Sequence, residues 1–173
     1  MATEEFVDAT VFLGMHGQDD VVRADCASFF AERADRRVSM SLEQVGRCDE
    51  IVWGFSRELQ DAYYPFMDRL HTDMDVARLG YRRQDLVAAL ESRELAGLST
   101  AGRLTMGMVL THGGTLRTLS PELLARPGLP VLAPPATGGV RVPFRAELEK
   151  LYRVSLALRV TLGDLEEKPC TEA

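Results

Sequence analysis

Phe6-Val7-Asp8-Ala9-Thr10-Val11-Phe12-Leu13 is the stretch on which the reading of this chain turns. A short apolar run rich in valine and phenylalanine reads as a buried strand, here over residues 5–13. Asp8 interrupts it. A carboxylate among apolar neighbours is costly unless its charge is compensated. The usual compensations are a metal, a cationic partner or a set of backbone N–H donors. An acid in that place therefore suggests a site. The plainer alternative is a staple, a carboxylate that closes a strand end by accepting backbone N–H groups.

Outward from this run, strand and helix patterns alternate. Residues 14–20 read as a loop, and Asp19 or Asp20 can cap a helix over about 19–35. Residues 37–41 form a second strand. Ser41-Leu42-Glu43-Gln44 matches a capping box, with Ser41 as N-cap and Gln44 at the third helical position. The helix it opens runs through Val45, Ile51, Val52, Phe55 and Leu59, and Pro65 is placed near the start of the next. Residues 75–81 read as a third strand and 83–95 as a helix. Ser99 or Thr100 caps a further helix that ends at His112-Gly113-Gly114. Residues 115–119 and 129–132 complete the strands. Such alternation predicts an α/β fold, a three-layer α/β/α sandwich with a mainly parallel sheet of about five strands. The domain spans residues 1–135. A linker over 136–142 leads to a C-terminal element, 143–165, whose amphipathic helix is read over 143–160, and residues 166–173 read as a disordered tail.

Composition narrows the function. The chain has 173 residues, 46% of them hydrophobic and 27% charged, with a net charge of −6. That balance argues against wide, non-specific nucleic-acid binding, which needs a basic footprint, but leaves room for a local basic groove. Lys150 and Lys168 are the only lysines among 20 cationic residues, a bias of GC-rich bacterial genomes. The cysteines Cys26, Cys48 and Cys170 have no zinc spacing and read as free thiols of a reducing cytoplasm. No basic, apolar leader opens the chain, and no apolar stretch approaches the roughly 20 residues that span a bilayer.

In a parallel sheet, ligands bind at the carboxyl ends of the strands. Asp8, Glu43 and the hydroxyls of Thr118 and Ser120 fall on that edge. Converging carboxylates suit a hard cation such as Mg²⁺ or Mn²⁺, which can activate water against a phosphate. Each residue also has a plain reading. Glu43 complements a helix dipole, and strand-end hydroxyls are common. His16, His71 and His112 read as surface or loop histidines. Arg78, Arg82 and Arg83 could meet a phosphate backbone but fit a solvated loop and helix start. Met106, Met108 and Trp53 read as core or near-core filling.

Across residues 5–135 the chain resembles the PIN-domain family. Residues 6–13 look like its first strand, whose aspartate binds metal, and Val38-Ser39-Met40-Ser41-Leu42-Glu43 like its second strand and following acid. Residues 98–104 and 111–120 are similar to its penultimate helix and the strand after it, and Pro127-Gly128-Leu129-Pro130-Val131 fits its last strand. The resemblance implies a parallel α/β/α sandwich and a metal-dependent ribonuclease, a hydrolase acting on RNA. Asp8 and Glu43 would hold Mg²⁺ or Mn²⁺, and Ser120 would assist by hydrogen bonding. Two departures stand out: the family's third acidic position falls on Gly102 and a fourth on Ser120. Glu94, Asp49 and Glu50 are the candidates for a relocated acid. A catalytically silent PIN-like binding or regulatory protein, and a small-molecule enzyme on a related scaffold, are the alternatives. The 143–160 helix docks on its own domain, or joins a protein partner or a second copy.

Overall fold

The computed structural model describes residues 3–165. Five strands, β1 (Glu5–Val7), β2 (Val38–Ser41), β3 (Val76–Leu79), β4 (Thr115–Arg117) and β5 (Val131–Leu132), form one sheet in the order β3-β2-β1-β4-β5. Every pairing is parallel; Phe6 sits opposite Ser39 on one side and Leu116 on the other. The strand order reverses between β1 and β4, and this switch point opens a crevice at the strands' carboxyl ends.

Strand alternation sorts the side chains into two apolar layers. Val7, Val38 and Met40 face one cluster. It is covered by α1 (Ala9–Gly14), α2 (Asp20–Ala31), α3 (Leu42–Trp53), α4 (Arg57–Asp73) and α8 (Ala146–Ser155). Phe6 and Leu116 face the other cluster, covered by a 3₁₀ turn (Arg93–Leu95), α6 (Thr100–Thr111) and α7 (Pro121–Leu124), with α5 (Arg83–Glu91) packed against α6. The result is a three-layer α/β/α sandwich. A one-turn helix, α9 (Leu162–Leu165), closes the described chain.

Several local expectations are corrected. The strand expected over 5–13 ends at Val7, and Ala9 onward is helix, because Asp8 caps α1. A fully buried apolar run has no periodicity that separates strand from helix. Pro65 lies in the interior of α4 rather than near its start; it is exposed, so the carbonyl it leaves without an N–H partner can face water. Ser56 caps α4 instead, through its hydroxyl and the N–H of Leu59. Trp53, expected in or near the core, is 67% exposed at the end of α3, whereas Met106 and Met108 are buried as expected. The expected tail, residues 166–173, lies outside the described residues.

The C-terminal helix is shorter than the expected 143–160, and its apolar face is spent within the chain. Phe144, Leu148, Tyr152, Leu158 and Val160 join the same cluster as Val7 and Phe12. The expected linker is fastened on the way: Asp25 accepts from the N–H and hydroxyl of Thr137, and the Val142 N–H donates to Ser28 Oγ. Glu149 then gathers Arg141, Arg153 and the Phe144 N–H. Against the upward push of burial, these bonds hold its carboxyl below the ordinary value.

His16, expected near the surface, is fully buried among Tyr63, Phe66 and Tyr152. Ser155 Oγ donates to the Tyr152 carbonyl, so it accepts from His16 Nε2 at 2.8 Å. That fixes the proton on Nε2 and leaves Nδ1 without a partner among the described residues. Burial, helped by Arg159 and Arg23, pushes the ring down to about 3. A histidine whose folded pKa lies below its unfolded value binds fewer protons when native. Its contribution is complete above the unfolded value of 6.5 and is lost as pH falls from there towards 3. His71, lowered chiefly by burial, acts with the same sign. Urea midpoints are therefore expected to drop between about pH 6.5 and 5, before most carboxylates protonate, with a shallower slope in His16→Gln.

Gly107 sets how closely α5 and α6 approach. A Cβ there would stand 2.5 Å from the Asp85 carbonyl oxygen and 2.9 Å from the Ala89 nitrogen. Replacing a helical glycine by alanine ordinarily stabilises. Here the backbone of α5 blocks it, and Gly107→Ala is expected to cost about 1–3 kcal/mol in urea unfolding.

Candidate functional site

At the switch point the chain leaves β1 and enters α1 through Asp8. The first N–H groups of a helix have no partner within it. Asp8 Oδ1 accepts from the N–H of Thr10 at 3.0 Å and of Val11 at 3.3 Å, and Gln44 Oε1 accepts from the N–H of Ala9 at 3.0 Å. Two hydroxyls complete the carboxylate. Thr10 Oγ1 donates to Oδ1 and Thr118 Oγ1 to Oδ2, each at 2.5 Å. Those hydroxyls in turn accept backbone N–H groups from the loop after β4, Leu119 to Thr10 at 2.8 Å and Ser120 to Thr118 at 2.9 Å. The relay joins the two loops that flank the switch point. Burial pushes the Asp8 carboxyl up, and the hydroxyl and N–H bonds pull against it.

Around this relay lies a cleft of about 380 Å³. Asp8, Thr10 and Gln44 line it with Arg47 from α3; Ser99, Gly102 and Thr105 come from the start of α6, and Ser120, Glu122 and Leu123 from α7. Leu119 and Pro121 add apolar wall, and Leu165 closes one side. Of the residues singled out in the sequence, Asp8, Gly102 and Ser120 line it, and Thr118 bonds Asp8. Glu43 is not in the lining. Its carboxylate accepts from the Tyr81 hydroxyl, whose ionisation is pushed up by burial and by that bond. The next residue, Gln44, enters the cleft instead. The expected capping box is half formed: Ser41 Oγ accepts from the Gln44 N–H, but the Gln44 side chain goes to Ala9 and to Thr105 Oγ1, 3.3 Å away. Glu94, Asp49 and Glu50 do not line the cleft either.

Glu122 and Arg47 are the charged groups that sequence reasoning missed. Glu122 lies one residue past Pro121 in the first turn of α7. It accepts from the Ser99 N–H at 2.6 Å and the Ser99 hydroxyl at 2.8 Å, while Ser99 Oγ accepts from the Gly102 N–H. A Cβ at Gly102 would stand 3.2 Å from Glu122 Oε2, so this carboxylate borders the space a side chain at 102 would enter. The signal was a Ser-Pro-Glu helix start at 120–122. Arg47 falls one turn beyond Gln44 on α3 and so shares its face.

This donor set does not fit a divalent cation. Both Asp8 oxygens accept N–H or hydroxyl donors, Glu43, the expected second acid, is outside the lining and bound by Tyr81, and Glu122 is bound to Ser99. Among the described residues, no three His, Cys, Asp or Glu side chains gather as a metal site needs. Nor is any helix among them long and apolar enough to cross a membrane.

A family model, the Family of unknown function (DUF6190), matches residues 1–165. The chain belongs to this DUF6190 family. No curated protein matches it.

Asp8 is thus a junction of the fold. Asp8→Ala would leave the Thr118 hydroxyl and two helix-start N–H groups without their acceptor. It is expected to lower the unfolding free energy by about 2–4 kcal/mol, and Asp8→Asn by clearly less, as measured by urea titration.

Proposed function

We propose that this DUF6190 member is a PIN-like domain that works as a non-catalytic binding or regulatory module, with the cleft at the β1/β4 switch point as its binding site. The observation that carries this reading is the commitment of Asp8. Oδ1 takes two N–H groups and a hydroxyl and Oδ2 takes a second hydroxyl, so this carboxylate is engaged in holding the fold together, and no cluster of acids gathers beside it among the described residues. The all-parallel α/β/α sandwich supports the PIN-like part of the reading, and the cleft's apolar wall supports the binding part.

The ribonuclease reading keeps one observation in its favour, since Asp8 and Glu122 open onto the same cleft beside Ser120. The two readings separate in one experiment on the full chain. Millimolar Mg²⁺ or Mn²⁺ is expected to leave the melting temperature unchanged, because a ligand of the native state would raise it. RNA incubated with the protein and Mn²⁺ is expected to stay intact for wild type and Asp8→Asn alike. Mn²⁺-dependent cleavage that disappears in Asp8→Asn, with the fold intact by circular dichroism, would overturn the proposal.

A further inference from the structure

The composition leaves room for a local basic groove, and one lies at the amino edge of the sheet. An open groove of about 760 Å³ runs from the starts of β1 and β2 across β4 to Leu132 of β5. Four arginines line it, Arg33 and Arg36 after α2, Arg37 before β2 and Arg117 on β4, together with the acids Glu4 and Glu5. None of these residues lines the cleft. Glu5 fixes two of the guanidiniums. Arg33 donates to it through Nε at 2.6 Å and Nη2 at 3.1 Å, and Arg117 through Nε at 3.3 Å. Their Nη1 atoms reach the Phe29 and Ala133 carbonyls, and Arg33 lies 3.9 Å over the Phe29 ring. Against the upward push of burial, the two arginines hold the Glu5 carboxyl below its ordinary value. Glu4 is turned to Ser39 and His112, and Arg37 donates to Asp75 through Nε.

Cationic capacity is left over. The exposed Arg36 side chain has no hydrogen-bond or ion-pair partner among the described residues, and Arg117 Nη2 has no hydrogen-bond partner among them. Four arginines face three carboxylates, Glu4, Glu5 and Asp75, which leaves one positive charge uncompensated. We propose that this groove is a second ligand site, one that takes a short polyphosphate, free or as the end of a nucleotide. Guanidinium forks match phosphate oxygens, and forks already held in place lose little freedom on binding. Arg36 and Arg117 supply the free donors, while Arg33 adds its charge beside them. Leu132, half exposed, is an apolar wall for whatever body carries the phosphates. Charge sets the length. The local surplus is small and the whole chain carries −6, so a long polyanion meets repulsion beyond the groove that a short one avoids.

Isothermal titration of the full chain, in EDTA at fixed ionic strength, tests the site with tripolyphosphate and ATP as probes. Binding is expected for the parent chain and is expected to be roughly tenfold weaker in Arg36→Gln, the effect of losing one charge-assisted contact. That variant alters an exposed side chain without a partner among the described residues, so the fold is kept. Arg117→Lys, checked by circular dichroism, is expected to weaken binding as well, because it keeps the charge and loses the fork. Arg57→Gln removes a like charge from the exposed start of α4 and is expected to leave the affinity unchanged. Tighter binding of ATP than of tripolyphosphate makes the ligand a nucleotide; equal or weaker binding makes it a free polyphosphate. No binding of either probe, no loss in Arg36→Gln, or an equal loss in Arg57→Gln overturns the site. A single-stranded RNA decamer that binds more tightly than both probes overturns the short ligand. EDTA removes divalent cations and the variants leave the cleft untouched, so the proposal fails separately from the reading of the cleft.

Discussion

The start of α1 needs acceptors for its first N–H groups, and it stands at the point where the sheet changes direction. Asp8 and Gln44 meet that need together, and in doing so tie β1 to α3. The same carboxylate, through the hydroxyls of Thr10 and Thr118, receives the loop that leaves β4. Gln44 extends the tie to Thr105 on α6. Four elements that a parallel sheet would otherwise leave splayed around a crevice are thereby joined by one polar network. Buried networks of this kind specify a single arrangement when every member has its partner.

Such engagement has a chemical cost. A carboxylate that is to hold Mg²⁺ must turn its lone pairs towards the ion, with few competing donors and other acids nearby. Here the neighbours are threonine, glutamine and serine, which supply donors of their own. Glu122 is the remaining acid of the lining beside Asp8, and it is turned to Ser99, where it helps to fasten the start of α6. Chemistry that could have served a cation serves cohesion, while the apolar residues around it leave a surface able to receive a ligand.

The fold class was legible because strand and helix patterns alternate along the chain, and because N-caps such as Asp19, Ser41 and Ser99 are local signals. The role of Asp8 was legible in outline, since a lone acid in an apolar run must find donors. That it caps a helix was not, because the residues after it are buried on every side and carry no period. Glu43 and Gln44 are adjacent, and only the rotation of α3 decides which one enters the cleft. Glu122 and Arg47 gain their meaning from elements distant in sequence. His16 was misplaced for a related reason: its neighbours Tyr63, Phe66 and Tyr152 come from α4 and α8, and nothing next to it announces them.

The shared apolar cluster has a consequence for how the molecule is made. Phe66 of α4 and His16 wait for Phe144 and Tyr152 to cover them, and Val160 pairs with Gly17. During synthesis α4 (Arg57–Asp73) is made long before those late residues, so its apolar face stays open until most of the domain has been translated. Long-range closure of this kind is slow and exposes intermediates to aggregation. Chaperone engagement on that flank would end when α8 settles onto α4 and seals it.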